Sequence, residues 1–252
     1  MGAMGATGAT GAMGAELRAG LASVRRDIRK LARPERARSN ESFFKTGRGE
    51  YGEGDRFLGV TVPQLRVLAR EYRDMPLKYV AALLQSRWHE ERLLALLILV
   101  RQYVRADMRA RRSIHQLYLR NTRSINNWDL VDSSAPHIVG AWLFTRSRAP
   151  LRRLARSSSL WERRIAIIAT QFFIRNGDLE ETFRIADLLL QDHHDLIHKA
   201  VGWMLREAGN RNPTAERSYL ETRYPRMPRT MLRYAIEKFP EAERRRYLAG
   251  AI

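Results

Sequence analysis

The chain has 252 residues, 44% of them hydrophobic, and a formal net charge of +18 from 45 Lys and Arg against 27 Asp and Glu. The length suits one large domain or two small ones with ample core. The absence of Cys excludes a disulfide framework, a Cys-based metal site and a thiol nucleophile, and the longest apolar run, residues 93–100, is about half a membrane span. Only five basic residues are Lys (Lys30, Lys45, Lys78, Lys199 and Lys238), which leaves 40 Arg. A GC-rich coding sequence would account for the preference for Arg. It would not account for the net excess, which implies a polyanionic partner.

Residues 1–15 begin MGAMGATGATGAMG. No basic stretch precedes an apolar core there, so a signal peptide is not indicated, and glycine this dense predicts disorder. A single folded domain is expected over 16–252. Leu17, Leu21, Val24 and Ile28 recur at helical spacing, predicting a first helix to about residue 31, ended by Pro34. Residues 45–56 (KTGRGEYGEGDR) read as a Gly-rich charged loop. Thr61 is placed to cap a helix with Pro63 in its first turn, running to about Tyr72. Beyond it the segments read as helix, and no alternating β-branched run predicts a strand. Pro76, Pro136, Pro150, Pro213, Pro228 and Pro240 each fall where one helix should give way to the next.

The chain also repeats. Arg92, Arg164, Lys199 and Arg233 each enter an apolar helix, at spacings of 72, 35 and 34. The midpoint of the first interval falls on Trp128. A helical hairpin fills about 35 residues, so the expected fold is all-α: a right-handed α-solenoid of HEAT-like or armadillo-type hairpins with a concave basic face. Four residues beyond the entry positions lie Leu96, Asp132, Ile168, Trp203 and Glu237. This phasing sets Asp132 and Trp203 at corresponding points of different helices.

Within NNWDLVDSSAP, Asn126 or Asn127 is a candidate N-cap, and Asp129 suits the positive end of a helix. Asp132 lies farther along, on the apolar side with Trp128, where an acid needs a partner or a function. Core packing is the ordinary role for Trp; Trp128 and Trp203 share the face of Asp132 and are candidate aromatic walls. Arg164, Arg206 and Arg233 fall on inner helices, where a phosphate-tracking groove needs them. The six His give only His194 and His198 at i, i+4, without HExxH, so no metal site is expected. The Gly-rich loop lacks GxxxxGK[ST], against a P-loop.

NNWDLVDSSAP, KAVGWMLREAGNRNP, MPRTMLRYAIEKFP and FFKTGRGEYGEGDRFLGV together resemble the AlkD family of DNA alkylation repair glycosylases, in the family's order, over roughly residues 16–248. The resemblance implies a HEAT-like solenoid that excises positively charged alkylpurines, chiefly N3-methyladenine and N7-methylguanine, from double-stranded DNA. It does so without base flipping, a departure from most glycosylases. It implies Asp132 as the catalytic carboxylate, with Trp128 and Trp203 against the deoxyribose. Arg164 and Arg206 are implied at the DNA; Arg233, by the repeat phasing, and Phe43 and Lys45 of the FFKTGRG segment are expected there with them. Phe43 stands where some members have Tyr. No cofactor and no lyase step are implied, and a cytoplasmic, nucleoid-associated monomer is expected. Two other readings stay open: a non-catalytic scaffold for DNA, RNA or protein, and a self-resistance glycosylase for bulky natural-product adducts.

Overall fold

The computed structural model describes residues 20–252; the Gly-rich segment and Leu17 lie outside them. Those residues divide into two compact units, one ending at Leu130 and the other running Val131–Ile252. Both are all-α, as the sequence predicts. Among the described residues there is no strand, only an isolated bridge between Arg56 and Trp88. No helix among them is long and apolar enough to cross a membrane.

The first unit holds α1 (residues 20–30), α2 (Pro34–Phe43), α3 (Val62–Glu71), α4 (Leu77–Leu84), α5 (His89–Arg105) and α6 (Met108–Arg120). In α1, Leu21, Val24 and Ile28 are buried at the predicted spacing. Pro34 does not end α1. It stands in the first turn of α2, where its missing N–H removes no hydrogen bond. Thr61 caps α3 in a full capping box with Gln64. Helices α3 and α4 pack on α5. The buried Glu90 of α5 holds the chain entering α3: its carboxylate accepts the N–H groups of Leu58, Gly59 and Val60 at 2.8, 2.8 and 3.3 Å.

Helix α7 (Trp128–Asp132) follows, then a π-helical turn at Pro136–Gly140 that runs into α8 (Ala141–Leu143). The second unit continues with α9 (Ala149–Ala155), α10 (Leu160–Ala169), α11 (Gln171–Arg175), α12 (Glu180–Leu188), α13 (Asp195–Arg211), α14 (Pro213–Glu221), α15 (Arg229–Ala235) and α16 (Glu241–Ala249). Helix α13 packs against α10, α14 and α15. It meets α15 at Gly202, where a Cβ would lie 2.4 Å from the Met231 carbonyl, so only glycine allows that approach.

One device recurs across three helices. The fourth residue past the N-cap of α5, α10 and α13 is Arg92, Arg163 and His198. Each donates to the backbone carbonyl six residues earlier: Ser86 at 3.0 Å, Ser157 at 3.1 Å, and Asp192. A basic side chain thus ties each helix back to its entering loop. This register corrects the phasing read from the sequence. Arg164, Lys199 and Arg233 stand five residues past their caps but Arg92 stands four. Asp132 is the last residue of a five-residue helix, whereas Trp203 is the ninth of 17, so the two are not equivalent positions. Helices α5 and α10 are buried on nearly every side and carry no polar stripe to fix their phase.

Helix α14 buries Glu216 against Gly209 of α13, whose Cβ would lie 1.6 Å from the carboxylate. Its Oε1 has no hydrogen-bond partner. Burial, against the pull of Arg217, raises this carboxyl from 4.5 to about 8. The folded state therefore keeps a proton that the unfolded chain releases, and stability should fall as pH rises from about 4.5 to about 8. Glu216→Gln should flatten that part of a urea-midpoint profile against pH. A profile that keeps its slope would assign the titration to another group.

Candidate functional site

In the first unit the aromatic residues converge on Trp128, the first residue of α7. Phe44, the C-cap of α2, stacks on its ring at 5.3 Å and 20°. Phe43 meets it edge-on at 6.0 Å and is 64% exposed, an unusual exposure for a large apolar ring beside a second aromatic. Lys45 follows with φ at 53°, a left-handed conformation that costs a non-glycine residue about 1 kcal/mol or more. Its side chain is exposed.

Beneath these rings lies a buried ionic cluster. His89 Nδ1 is 2.8 Å from Asp55 Oδ2, and His89 Nε2 is 2.8 Å from Asp129 Oδ2. Arg92 donates to Asp55 at 2.6 Å and Asn127 donates to the same carboxylate at 3.4 Å. Phe57 and Phe44 lie against the His89 ring at 4.5 and 5.0 Å. Burial pushes the Asp55 carboxyl upward, but His89 and Arg92 outweigh it and hold the group below the usual range. Burial likewise disfavours the charged form of His89, yet Asp129 and Asp55 raise it to about 9.

In the second unit Arg164 grips Asp132 with both ends of its fork: Nε to Oδ1 at 2.9 Å and Nη2 to Oδ2 at 2.7 Å. Its Nη1 donates to the carbonyl of Leu196, in the first turn of α13, at 2.6 Å. The Arg164 side chain is 6% exposed and that of Asp132 17%. The sequence set Arg164 at DNA phosphates; three of its five N–H donors are engaged with Asp132 and Leu196. Farther along α13, the half-buried Trp203 donates its indole N–H to Glu207 at 3.0 Å. Arg206 pairs with Glu237 and sits 3.8 Å from Glu207. Arg233 is exposed on α15.

The structure thus brings Phe43 to Trp128 and Arg164 to Asp132. The sequence reading missed the His89 cluster, Phe44 and Glu207. Glu207 had a signal, since it follows Trp203 by four residues. Asp129, read as a cap-region residue, also faces His89. Among the described residues no group of three or more His, Asp and Glu is arranged to hold a metal.

A family model described as DNA alkylation repair enzyme matches residues 24–239. Among solved structures, the chain is similar to one described as "Predicted DNA alkylation repair enzyme from Enterococcus faecalis", with a TM-score of 0.65 and 16% identity over 84% of this chain and 98% of that one. At that identity the similarity is one of fold. No curated protein matches the chain.

Three substitutions test this geometry. Arg164→Met should destabilise the fold by about 3 kcal/mol, because it removes the guanidinium that binds both oxygens of the mostly buried Asp132 carboxylate. Adding Asp132→Asn should recover part of that loss; strictly additive losses in a double-mutant cycle would mean the pair is not coupled. Lys45→Gly should raise stability by roughly 1 kcal/mol by relieving the left-handed backbone, as read from the urea midpoint.

Proposed function

The chain belongs to the DNA alkylation repair enzyme family, and from that premise we propose that it is a monofunctional glycosylase that hydrolyses the N-glycosidic bond of cationic alkylpurines in duplex DNA. The observation that carries this reading is the fixed carboxylate. Both oxygens of Asp132 accept hydrogen bonds from one guanidinium, the arrangement of an ionised group held in one orientation.

The chemistry asks for such a group. N7-methylguanine and N3-methyladenine carry a positive charge in the base and leave as neutral molecules. As the bond to C1′ lengthens, its electron pair goes to the base and the sugar takes on oxocarbenium character. Asp132 stabilises that charge and orients the water that adds to C1′, with release of a proton. Trp128 and Trp203 present electron-rich indole faces to the same developing cation. Arg206, Arg233 and Lys45 grip phosphates, Phe43 lies against the strand, and Arg164 holds the Asp132 carboxylate. For Arg206 this requires exchange of Glu237 for phosphate. The contacts act on the sugar, so the chemistry does not require that the base be swung out of the helix. The net charge of +18 supports duplex binding that weakens steeply with salt.

Single-turnover release of N7-methylguanine from a duplex oligonucleotide, read by strand scission at the abasic product, tests the proposal. The wild type should excise the base, and Asp132→Asn should slow excision by about a hundredfold or more while still binding the duplex. Equal rates for the two proteins would remove Asp132 from the mechanism. A wild type that binds but releases no base, from methylated or bulky-adduct duplexes alike, would leave a DNA-binding scaffold.

A further inference from the structure

The His89 cluster has no part in the chemistry above, yet its geometry fixes its charge. A carboxylate only accepts hydrogen bonds, so an imidazole whose two nitrogens each face a carboxylate at 2.8 Å must carry a proton on both. The local charges agree. The charged groups facing the ring are Asp55 from the Gly-rich loop and Asp129 from α7, and Arg92 from α5 itself pairs with Asp55 behind it. With His89 as imidazolium the four sum to zero; with neutral imidazole they leave a buried negative charge and a nitrogen lone pair against a carboxylate.

The cluster also reaches Trp128. Helix α7 has only five residues, too few to persist without outside support. Asp129, the residue after Trp128, anchors that helix to His89, and Phe44 bridges the two rings, stacked on Trp128 and tilted against His89.

We propose that His89 is a positioning residue: its imidazolium, clamped between Asp55 and Asp129, locks the Trp128 ring in place for its work in the reaction, and losing the proton releases that ring. The inference rests on the proposed glycosylase reading for its effect on rate, but not for its effect on Trp128. Asp55 fixes one side of the imidazolium to the loop that follows Lys45, so the latch joins the Gly-rich motif to the aromatic wall. Neither motif shows that connection alone.

The test uses the full chain labelled with 5-fluorotryptophan and with 15N in the histidine rings, the Trp128 resonance being assigned by Trp128→Phe. At pH 7 His89 should show two protonated ring nitrogens, and it should titrate near the value its surroundings set, about 9. The Trp128 fluorine resonance should move with the same midpoint. His89→Gln keeps a polar side chain but has no positive charge, and both of its donors sit on one nitrogen rather than on two sides of a ring. It should show the displaced Trp128 resonance already at pH 7, slow single-turnover excision by about tenfold or more, bind undamaged duplex within about twofold of wild type, and lack the fall in rate that the wild type should show as His89 loses its proton. A Trp128 resonance that stays still through the His89 titration, or in folded His89→Gln, overturns the proposal. Should His89→Gln not fold, the wild-type titration decides alone. A wild type without excision would defeat the glycosylase reading, while the fluorine resonance would still judge the latch.

Discussion

An ionised group buried among helices persists only with its counter-charge beside it, because the penalty for stranding one is several kcal/mol. Arg92, Arg163, Arg164 and His89 are all nearly inaccessible, and each meets an acid from a distant part of the chain: Asp55, Asp192, Asp132 and Asp129. The separations of 29 to 40 residues approximate one hairpin, so these pairs cross from one hairpin to another. Such pairs add little net stability over well-packed apolar residues. Their effect is on register. A slip of one helical turn, about 5.4 Å, would strand two charges at once.

That constraint decides how the side chains of the proposed mechanism are held. Asp132 closes a five-residue helix, too short to fix it, and takes its orientation from Arg164, which in turn reaches the start of α13. Trp203 stands on α13 beside Gly202, where a Cβ would collide with α15, and its indole N–H is committed to Glu207. Trp128 leans on Phe44. The residues assigned to carboxylate and ring contacts are therefore braced by neighbours. Phe43, Lys45 and Arg233, which the proposed function sets at the DNA strand, are exposed instead.

The features legible in the sequence are those set by local chemistry. Thr61 with Gln64 reads as a cap because both partners lie within one turn. Leu21, Val24 and Ile28 read as a buried stripe because the other face of α1 is polar. Asp132 stood out because an acid in an apolar run is costly. What pays that cost, Arg164, lies 32 residues away and was legible as a basic residue but not as a partner. His89 carries no local signal, because its neighbours Asp55 and Asp129 are separated by 74 positions in sequence and meet only in the fold. The repeat phase slipped by one residue for a related reason. A helix buried all round gives the hydrophobic pattern nothing to count from, whereas the N-caps of α5, α10 and α13 fix it.

On the proposed mechanism, the fixed carboxylate also limits what the enzyme can attack. A unit negative charge about 4 Å from a developing cation, in an effective dielectric of about 20, contributes roughly 4 kcal/mol, or about three orders of magnitude in rate. Its pairing with Arg164 takes back part of that. Two indole faces at about 1 to 2 kcal/mol each bring the total to a level well short of what a neutral, unactivated glycosidic bond demands. No general acid is assigned to protonate the departing base. The remainder of the barrier must be lowered by the leaving group itself, and a purine already alkylated at a ring nitrogen supplies that through its own positive charge. Selectivity for damage then needs no pocket that recognises a methyl group. On this proposal an ordinary purine is rejected because its bond holds, and a cationic one is accepted because the assigned carboxylate and indoles need only finish what the lesion began.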